Sequence, residues 1–263
     1  MLDVSEGQII NSRQGDVGII TLNRPDSFNC ISPQIIAGID CALTEFEADR
    51  TIKAVLIEAA GKNFCTGADL NVVTTGREGT GENLAQFIAA GHRVFRRLEV
   101  SPLPVVVALQ GLCLAGGLEL MLSCDIAIAG ESAKFADQHG RFGLVAGWGG
   151  TQRLGRILGV RRALDLMLSV RWLDAAEAER WGLLNKVVPD AGLRSAALEY
   201  CTRLASRNPE ATAAMKRLTR AGLDLSLEAG LELERREVLQ ALLKDNTSEG
   251  LAAFAERREP KFH

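Results

Sequence analysis

The sequence predicts an α/β core followed by a helical C-terminal region, and three observations indicate this class. Strand patterns at 17–22 and 54–58 flank a helix pattern that begins at Pro33, and this βαβ unit is expected to have a right-handed crossover. Residues 105–107 are consecutive valines, a β-branched run that suits a strand covered on both faces. After Asp190 the strand patterns stop and only helical periodicity continues.

Strands and helices alternate along the predicted core. Ser32 followed by Pro33 marks a helix start, because Ser caps an N-terminus and Pro fits the first helical position. The predicted strands are 8–11, 17–22, 54–58, 105–107, 125–129, 133–136 and 184–188. Helices are predicted from 33 onward and at 84–98, 116–124, 161–170 and 174–181. The polar, Gly-rich segment 74–83 is interpreted as a mobile surface loop.

The C-terminal region is predicted to contain helices only. Helical patterns cover 191–206, 209–221, 225–243 and 248–258. Such a region is too thin to hold a core alone, so it is expected to pack on the main body or on another subunit. We therefore predict two parts, a core at 1–190 and a helical region at 191–263.

Composition excludes several functional classes. The chain has 263 residues, 47% hydrophobic and 24% charged, with a net charge of −3, as expected for a soluble globular protein. The negative balance does not favour nucleic acid or an acidic membrane surface. The six cysteines form no C-x-x-C pair, which favours reduced thiols in a cytoplasmic protein over disulfides or a metal site. The acidic start indicates no secretory signal, and 100–118 is a poor membrane span.

The stretch 103–130 carries the first chemical signal. Gly116 and Gly117 open a short helix whose first N–H groups have no intrahelical partner, and the helix dipole favours an anion there. Glu119 follows within an otherwise apolar run, where a lone carboxylate is costly to bury. Two interpretations remain open: Glu119 takes part in chemistry, or it is a structural residue that caps a neighbouring helix.

Two glycine-rich segments have different meanings. In the loop 61–71, Gly61 and Gly67 allow close approach to a ligand, and Asp69 lies near the next helix start. The cluster at 147–150 lacks both a following Lys-Ser/Thr and a G-x-G-x-x-G pattern, so a nucleotide loop is rejected.

Six blocks of the sequence, in order, resemble the enoyl-CoA hydratase/isomerase (crotonase) family. They are LNRP (22–25), GKNFCTGADL (61–70), GLCLAGGLEL with CDIAIA (111–129), GWGGTQRL (147–154), EAERWGLLNKVV (177–188) and EGLAAFAERREPKF (249–262). The resemblance implies a spiral of ββα units with a helical C-terminal trimerisation region, in trimers that often pair into hexamers. It also implies binding of coenzyme A thioesters and stabilisation of an enolate-like anion at the thioester carbonyl.

The family motifs assign roles to three positions. The resemblance places the two N–H groups of the oxyanion hole at Ala68, in the GAD motif, and at Gly116, three residues before the first catalytic Glu. That catalytic residue is Glu119. The assignment of Gly116 agrees with its position at an anion-binding helix start.

His139 is the main departure from the family pattern. In two-glutamate hydratases a second Glu lies four residues before the position of Gly143, and here that position is His139. Asp137 lies two residues away and would need a local shift to substitute. Either His139 is catalytic or it is a loop residue bonded to backbone. A catalytic neutral His would lose activity as pH falls through about 6.5.

The resemblance also implies contacts to the coenzyme A substrate. The implied substrate-binding residues are Arg24, Cys65, Gly67, Asp69, Leu70, Lys261 and Phe262. Asp26 and Asn71 stand where the family often has Lys, so Arg24 is the remaining candidate for a phosphate partner, or else a surface Arg. Lys261 and Phe262 match a tail that reaches a neighbouring subunit's coenzyme A, or else they form a frayed terminus.

The predicted function is hydration of an enoyl-CoA, a lyase reaction of the kind used in fatty acid metabolism, with Glu119 as acid/base. Isomerisation, thioester hydrolysis and decarboxylation on the same fold remain alternatives, because one base suffices for isomerisation. A third hypothesis, RNA binding, conflicts with the net charge and the lack of a Lys-rich helix. The expected partners are an acyl-CoA thioester and further copies of the chain. No cofactor or metal is expected, since coenzyme A is part of the substrate.

Overall fold

The computed structural model describes residues 7–78 and 81–262. Its strands are β1 (Ile9–Gln14), β2 (Val17–Leu22), β3 (Ala54–Ala59), β4 (Val105–Leu109), β5 (Leu112–Leu114), β6 (Ile126–Gly130), β7 (Lys134–Ala136), β8 (Leu173–Asp174) and β9 (Lys186–Val188). The larger sheet has the order β1-β2-β3-β4-β6-β9, and the smaller has the order β5-β7-β8. In the larger sheet only the β1–β2 pair is antiparallel.

Eleven α-helices are seen among the described residues. They are α1 (Pro33–Ala48), α2 (Leu70–Glu78), α3 (Glu82–Val100), α4 (Gly116–Leu122), α5 (Gly150–Leu158), α6 (Val160–Ser169), α7 (Ala175–Trp181), α8 (Leu193–Ala205), α9 (Pro209–Gly222), α10 (Leu227–Ala241) and α11 (Asp245–Glu256). Ser32 caps α1 as predicted, because its hydroxyl accepts the Ile35 N–H at 3.1 Å. No helix in the described part of the chain is long and apolar enough to cross a membrane.

The larger sheet is covered on both faces, which explains its valine-rich strands. Val105 and Val107 of β4 face the main core with α1 and α3, whereas Val106 faces a second core beneath α8. This period-two division is the pleat of a strand buried on both sides. Leu198 and Cys201 of α8 belong to the second core, so the first helix after residue 190 packs on the main body.

The loop predicted over 74–83 is wrong at 74–78, where α2 is helical, and at 82–83, where α3 has begun. Asp69 supports the start of this helix, because its Oδ1 accepts the Asn71 N–H at 3.0 Å. Val72 and Val73 pack partly buried against the main core. Tertiary contact therefore outweighs the polar local composition. Residues 79 and 80 of the predicted loop lie outside the described residues, as do residues 1–6, on which the expectation about a signal segment partly rests.

Two short strands, β5 and β8, have no clear signal in the sequence. β5 pairs with β7 in parallel, and β8 pairs with β7 through two residue pairs. Strands this short are defined by partners distant in the chain rather than by a period of their own. β5 leads directly to α4, and so it sets where the glycine pair begins the helix.

Candidate active site

The start of α4 is built on a strained residue. Ala115, which precedes the helix, has φ +46° and ψ −116°, a conformation that non-glycine residues rarely adopt. Its own N–H donates to the Ala136 carbonyl at 3.1 Å, which ties the turn to β7. Gly116 is the first residue of α4, so its N–H has no acceptor within the helix. The strain at Ala115 fixes the direction in which this N–H points.

Ala68 presents a second uncommitted N–H next to Gly116. The Ile31 N–H donates to the Gly67 carbonyl at 2.7 Å, and the Asp69 N–H donates to the Ile31 carbonyl at 2.9 Å. These two hydrogen bonds join Ile31 to the residues on either side of Ala68. The Ala68 N–H itself has no acceptor among the described residues. Gly67 has φ +109°, and a Cβ there would lie 3.2 Å from the Gly116 nitrogen. Glycine at position 67 therefore lets its loop lie close to the start of α4.

Glu119 lies one turn into α4 and is buried, with a relative exposure of 1%. Its Oε1 accepts the Trp148 N–H at 2.7 Å and the Gly150 N–H at 2.8 Å. Burial raises the pKa of Glu119, with the Asp137 charge adding to the rise, and the two N–H donors and His139 oppose it. Oε1 thus accepts from two backbone donors, whereas Oε2 has no hydrogen bond among the described residues.

The Trp148 indole holds the segment that supplies those donors. Its ring makes edge-to-face contacts with Phe87 and Phe95, at centroid distances of 5.1 and 5.5 Å. A Cβ at Gly91 or Gly116 would lie within 2.7 Å of the ring, so glycine at both positions is required for this packing. The sequence gives no signal for this contact between Trp148 and the two phenylalanines.

His139 is the second titratable group that faces Glu119. Its Nε2 lies 3.8 Å from Glu119 Oε2, and its Nδ1 lies 2.9 Å from Asp137 Oδ1. The His139 N–H also donates to Asp137 Oδ1, at 3.1 Å. Burial lowers the pKa of His139, but the hydrogen bond and charge of Asp137, aided by Glu119, outweigh burial and raise it.

These groups line one cavity of about 590 Å³. Five of the predicted site residues line it: Ala68, Leu70, Gly116, Glu119 and His139. The remaining walls are mostly apolar and come from α2, α3 and the segment 142–148, with Trp172. The charged residues among the described lining are Arg77, Glu119, His139 and Arg141. An apolar cavity with a few convergent polar groups is the usual form of a small-molecule site.

Four predicted substrate-binding residues lie beside the cavity without lining it. Arg24 Nη1 pairs with Asp69 Oδ2 at 3.0 Å and also donates to the Cys30 carbonyl at 3.0 Å. Burial opposes ionisation of Asp69, yet Arg24 and the Asn71 N–H lower its pKa. Cys65 is fully buried, and burial raises its pKa to about 12. Together with Gly67, these residues hold the loop that presents Ala68.

The predicted tail residues follow α11, and neither of them lines the cavity of their own chain. The Lys261 N–H donates to Glu249 Oε1 at 2.7 Å. The Phe262 carbonyl accepts from Lys53 Nζ at 3.1 Å, and its ring lies near Gly250. The structure therefore separates Lys261 and Phe262 from the other predicted site residues.

An ion-pair network behind the cavity escaped prediction. Glu99 of α3 accepts from Arg153 Nε and Nη2, both at 2.9 Å, and pairs with Arg220 of α9 at 3.1 Å. Arg153 also donates to the Trp148 carbonyl. Glu99 lies four residues after Phe95 and therefore on the apolar side of α3. This spacing is the one feature of the sequence that indicates a buried acid here. The network thus connects the C-terminal region to the residue that holds Glu119.

By sequence, Asp137 is only a displaced substitute for a second Glu. The structure gives it a different position, bonded to His139 rather than placed at the Glu slot. No period or motif in the sequence reveals this pairing, because it depends on the turn at 137–144. The Phe142 and Leu144 N–H groups close that turn by donating to the His139 carbonyl at 3.0 and 2.9 Å.

The sheet order, the two covered faces and the cavity with its buried acid define an α/β enzyme of the crotonase fold. The chain belongs to the enoyl-CoA hydratase/isomerase family, whose model matches residues 12–263. This confirms the resemblance, the predicted fold class and the prediction of an enzyme.

Individual relatives agree with the family assignment. The chain is 37% identical to a probable enoyl-CoA hydratase of Rhizobium meliloti, over 95% of each chain. It is also 37% identical to the probable enoyl-CoA hydratase echA8 of Mycobacterium tuberculosis, over 97% of each. A crystal structure of an enoyl-CoA hydratase from Polaromonas sp. JS666 superposes with a TM-score of 0.94 at 30% identity, covering 97% of this chain and 99% of the other.

Proposed function

We propose that the chain hydrates a 2-enoyl-CoA thioester, with the N–H groups of Ala68 and Gly116 as an oxyanion hole and Glu119 as acid/base. One observation carries the proposal: Ala68 and Gly116, whose N–H groups have no acceptor among the described residues, line the same 590 Å³ cavity as the buried Glu119. Addition of water to an unsaturated thioester requires hydrogen-bond donors for the negative charge that develops on the thioester oxygen. It also requires a proton-transfer group beside them.

In this proposal the thioester carbonyl oxygen accepts hydrogen bonds from the N–H groups of Ala68 and Gly116. Water adds through its oxygen to C3, and Glu119 Oε2 takes the proton that the water loses. The π electrons of the C2–C3 double bond move toward the thioester oxygen, where the two donors hold the negative charge. C2 then takes one proton, which is replaced by the proton that Glu119 accepted, and the carbonyl reforms, so that one water is added in total. Each donor of such a hole typically contributes about 10²–10³ in rate, and positioned proton transfer contributes about 10²–10⁴.

Isomerisation of a 3-enoyl-CoA is the second candidate. It is favoured by one observation, that Glu119 is the only carboxylate among the described residues that line the cavity. A single base can remove a proton from C2 and return it to C4. This reaction needs the same oxyanion hole but no bound water.

A product assay separates the two candidates. We expect crotonyl-CoA to be converted to a 3-hydroxyacyl-CoA, with the loss of enoyl absorbance and the gain of one water in mass. A 3-enoyl-CoA should be turned over more slowly. Rapid conversion of the 3-enoyl substrate to a 2-enoyl product, with no hydration of crotonyl-CoA, would replace the hydratase proposal with the isomerase.

We also propose a homotrimer or a dimer of trimers. Helices α9, α10 and α11 and the short connections between them expose apolar side chains, including Met215, Leu223, Leu227, Leu231, Leu239, Leu243, Leu251 and Phe254. An apolar surface of this extent favours association. Lys261 and Phe262 lie away from their own cavity, as residues that serve a neighbouring subunit would. Light scattering should give three or six times 28.3 kDa, and a monomer at micromolar concentration contradicts the proposal.

The setting follows from the same chemistry. We propose that the enzyme acts in the cytoplasm on acyl chains of fatty acid metabolism and needs no cofactor, because coenzyme A arrives with the substrate. All six cysteines are free thiols, which suits a reducing compartment. The activity should be undiminished after exhaustive dialysis against a chelator, and a loss of activity would contradict the proposal that no dissociable cofactor is needed.

A further inference from the structure

Asp137 is a buried carboxylate whose hydrogen bonds go to a single residue. Its Oδ1 receives both the N–H and the Nδ1 of His139, at 3.1 and 2.9 Å. Its Oδ2 is buried and has no partner among the described residues. A buried carboxylate with one unpaired oxygen is costly unless a cation lies beside it. The side chain that can supply this charge is His139.

The Asp137 contact also fixes the tautomer of His139. A carboxylate oxygen at 2.9 Å from Nδ1 requires the proton to be on Nδ1. Nε2 therefore carries the titrating proton, and it faces Glu119 Oε2 across 3.8 Å. That distance is too long for a direct hydrogen bond, but it leaves both atoms free to contact one water molecule or one reacting carbon.

We propose that Asp137 and His139 act as a unit, in which Asp137 is a positioning residue and His139 Nε2 is the second proton-transfer group, opposite Glu119. This inference rests on the proposed function. In it, the His139 imidazole, held by the Asp137 carboxylate, takes the role of the missing second Glu.

The resting pair is ionised Glu119 and protonated His139, so the two groups share one exchangeable proton. When water adds to C3, Glu119 Oε2 accepts the water proton, and the π electrons move to the thioester oxygen. His139 Nε2 then gives its proton to C2, and the carbonyl reforms. Glu119 is left protonated and His139 neutral, and a proton passes from Glu119 to His139 to restore the resting pair.

This arrangement predicts a bell-shaped dependence of kcat/KM on pH. The groups that face His139 are Asp137 on its own turn and Glu119 from α4, with Arg141 and Arg77 elsewhere on the cavity wall. Protonation of both Glu119 and His139 removes the base, and loss of both protons removes the acid. Both pKa values are raised. The acidic limb should therefore lie above about 4.3 and the basic limb above about 6.5.

The raised pKa of His139 changes the expectation drawn from the sequence. A neutral His139 that accepts from water predicts that activity falls as pH drops through about 6.5. With Asp137 beside it, His139 is protonated in that range, so activity should persist there and fall instead as pH rises through the raised value.

The test combines nuclear magnetic resonance with kinetics on the full-length protein. The chain has three histidines, and the His139 imidazole signals are assigned by their loss in His139→Gln. In the wild type we expect Nδ1 to remain protonated while Nε2 titrates above about 6.5. Asp137→Asn should lower that titration midpoint. The matched controls are His92→Gln and Asp16→Asn, both at exposed positions, which should leave the His139 titration unchanged.

Hydration of crotonyl-CoA supplies the second readout. His139→Gln should lower kcat by about 10²–10⁴ and remove the basic limb of the pH profile. Asp137→Asn should lower kcat by about tenfold or more, with little change in KM, and move the basic limb to lower pH. A structural role alone would change thermal stability without moving that limb.

The outcomes separate this inference from the proposed function. If crotonyl-CoA is hydrated but Asp137→Asn changes neither the His139 titration nor the basic limb, the unit is overturned and the hydratase stands. If no enoyl-CoA is hydrated, the proton-transfer role falls with the proposed function. In that case a lowered midpoint in Asp137→Asn still supports the positioning of His139 by Asp137, and an unchanged midpoint overturns it.

Discussion

Glu119→Gln is expected to lower kcat by about 10²–10⁴ while the protein remains folded. Glutamine matches glutamate in size, and its Oε1 can still accept the Trp148 and Gly150 N–H groups that now hold the carboxylate at 2.7 and 2.8 Å. The substitution therefore removes proton transfer at Oε2 and leaves the contacts of Oε1 in place. KM should change little, because Glu119 acts on the water rather than on the bulk of the thioester.

The same variant should be no less stable than the wild type at neutral pH. Burial raises the pKa of Glu119, so the ionised form is disfavoured in the folded state. For a carboxyl with a raised pKa, this cost is present above the folded value and disappears as pH falls through it. Glutamine removes the cost at neutral pH, and the difference between the two proteins should shrink in acid.

Steady-state kinetics with crotonyl-CoA and thermal unfolding at two pH values measure both effects. Glu131→Gln, at an exposed position, is the matched control and should behave as the wild type. A Glu119→Gln protein that keeps more than about a tenth of the wild-type kcat would contradict the acid/base role. A variant that loses both activity and the cooperative unfolding transition would instead place Glu119 among the structural acids.

The sequence predicted the large elements because their signals are local. The valine run of β4 and the Ser32 cap of α1 depend on a few adjacent residues, and both are observed. The helix α2 was missed because Asp69 and the core contacts of Val72 and Val73 outweigh a polar, Gly-rich composition. A signal carried by tertiary contact is absent from any short window of sequence.

The candidate site also has residues with a local sequence signal and residues without one. Gly116 and Glu119 were accessible because one helix start and one isolated acid lie within four residues. The pairing of Asp137 with His139 was not accessible, because the spacing of two residues says nothing about which way a tight turn directs the side chains. The support of Trp148 by Arg153 was equally hidden, since its anchor, Glu99, is distant in the chain.

Glu99→Gln is expected to destabilise the protein by about 3 kcal/mol, a fall in Tm on the order of 10 °C. Glu99 is 7% exposed and accepts hydrogen bonds from Arg153, Arg96 and Arg220. Removal of its charge leaves Arg153, which is also largely buried, without a compensating anion. The loss of one partner from a buried ion pair costs more than the pair itself is worth, because the remaining charge stays desolvated.

The pH dependence of this loss distinguishes charge from packing. Burial raises the pKa of Glu99, but Arg153, Arg96 and Arg220 outweigh burial and lower it. A carboxylate with a lowered pKa stabilises the fold above its unfolded value of about 4.3, and this contribution is lost as pH falls through the folded value. The stability difference between the wild type and Glu99→Gln should therefore be full at neutral pH and vanish in acid.

Denaturant unfolding at neutral and acidic pH tests this, with Glu232→Gln as the control. Glu232 pairs with Arg235 and Arg236 on the exposed face of α10, where an ion pair is worth about 0–1 kcal/mol. Glu99→Gln should also lower kcat at temperatures where it is folded, because Arg153 holds the Trp148 carbonyl and Trp148 holds Glu119. If Glu99→Gln matches Glu232→Gln in stability at neutral pH, the Glu99 charge does not stabilise the fold, and this prediction is wrong.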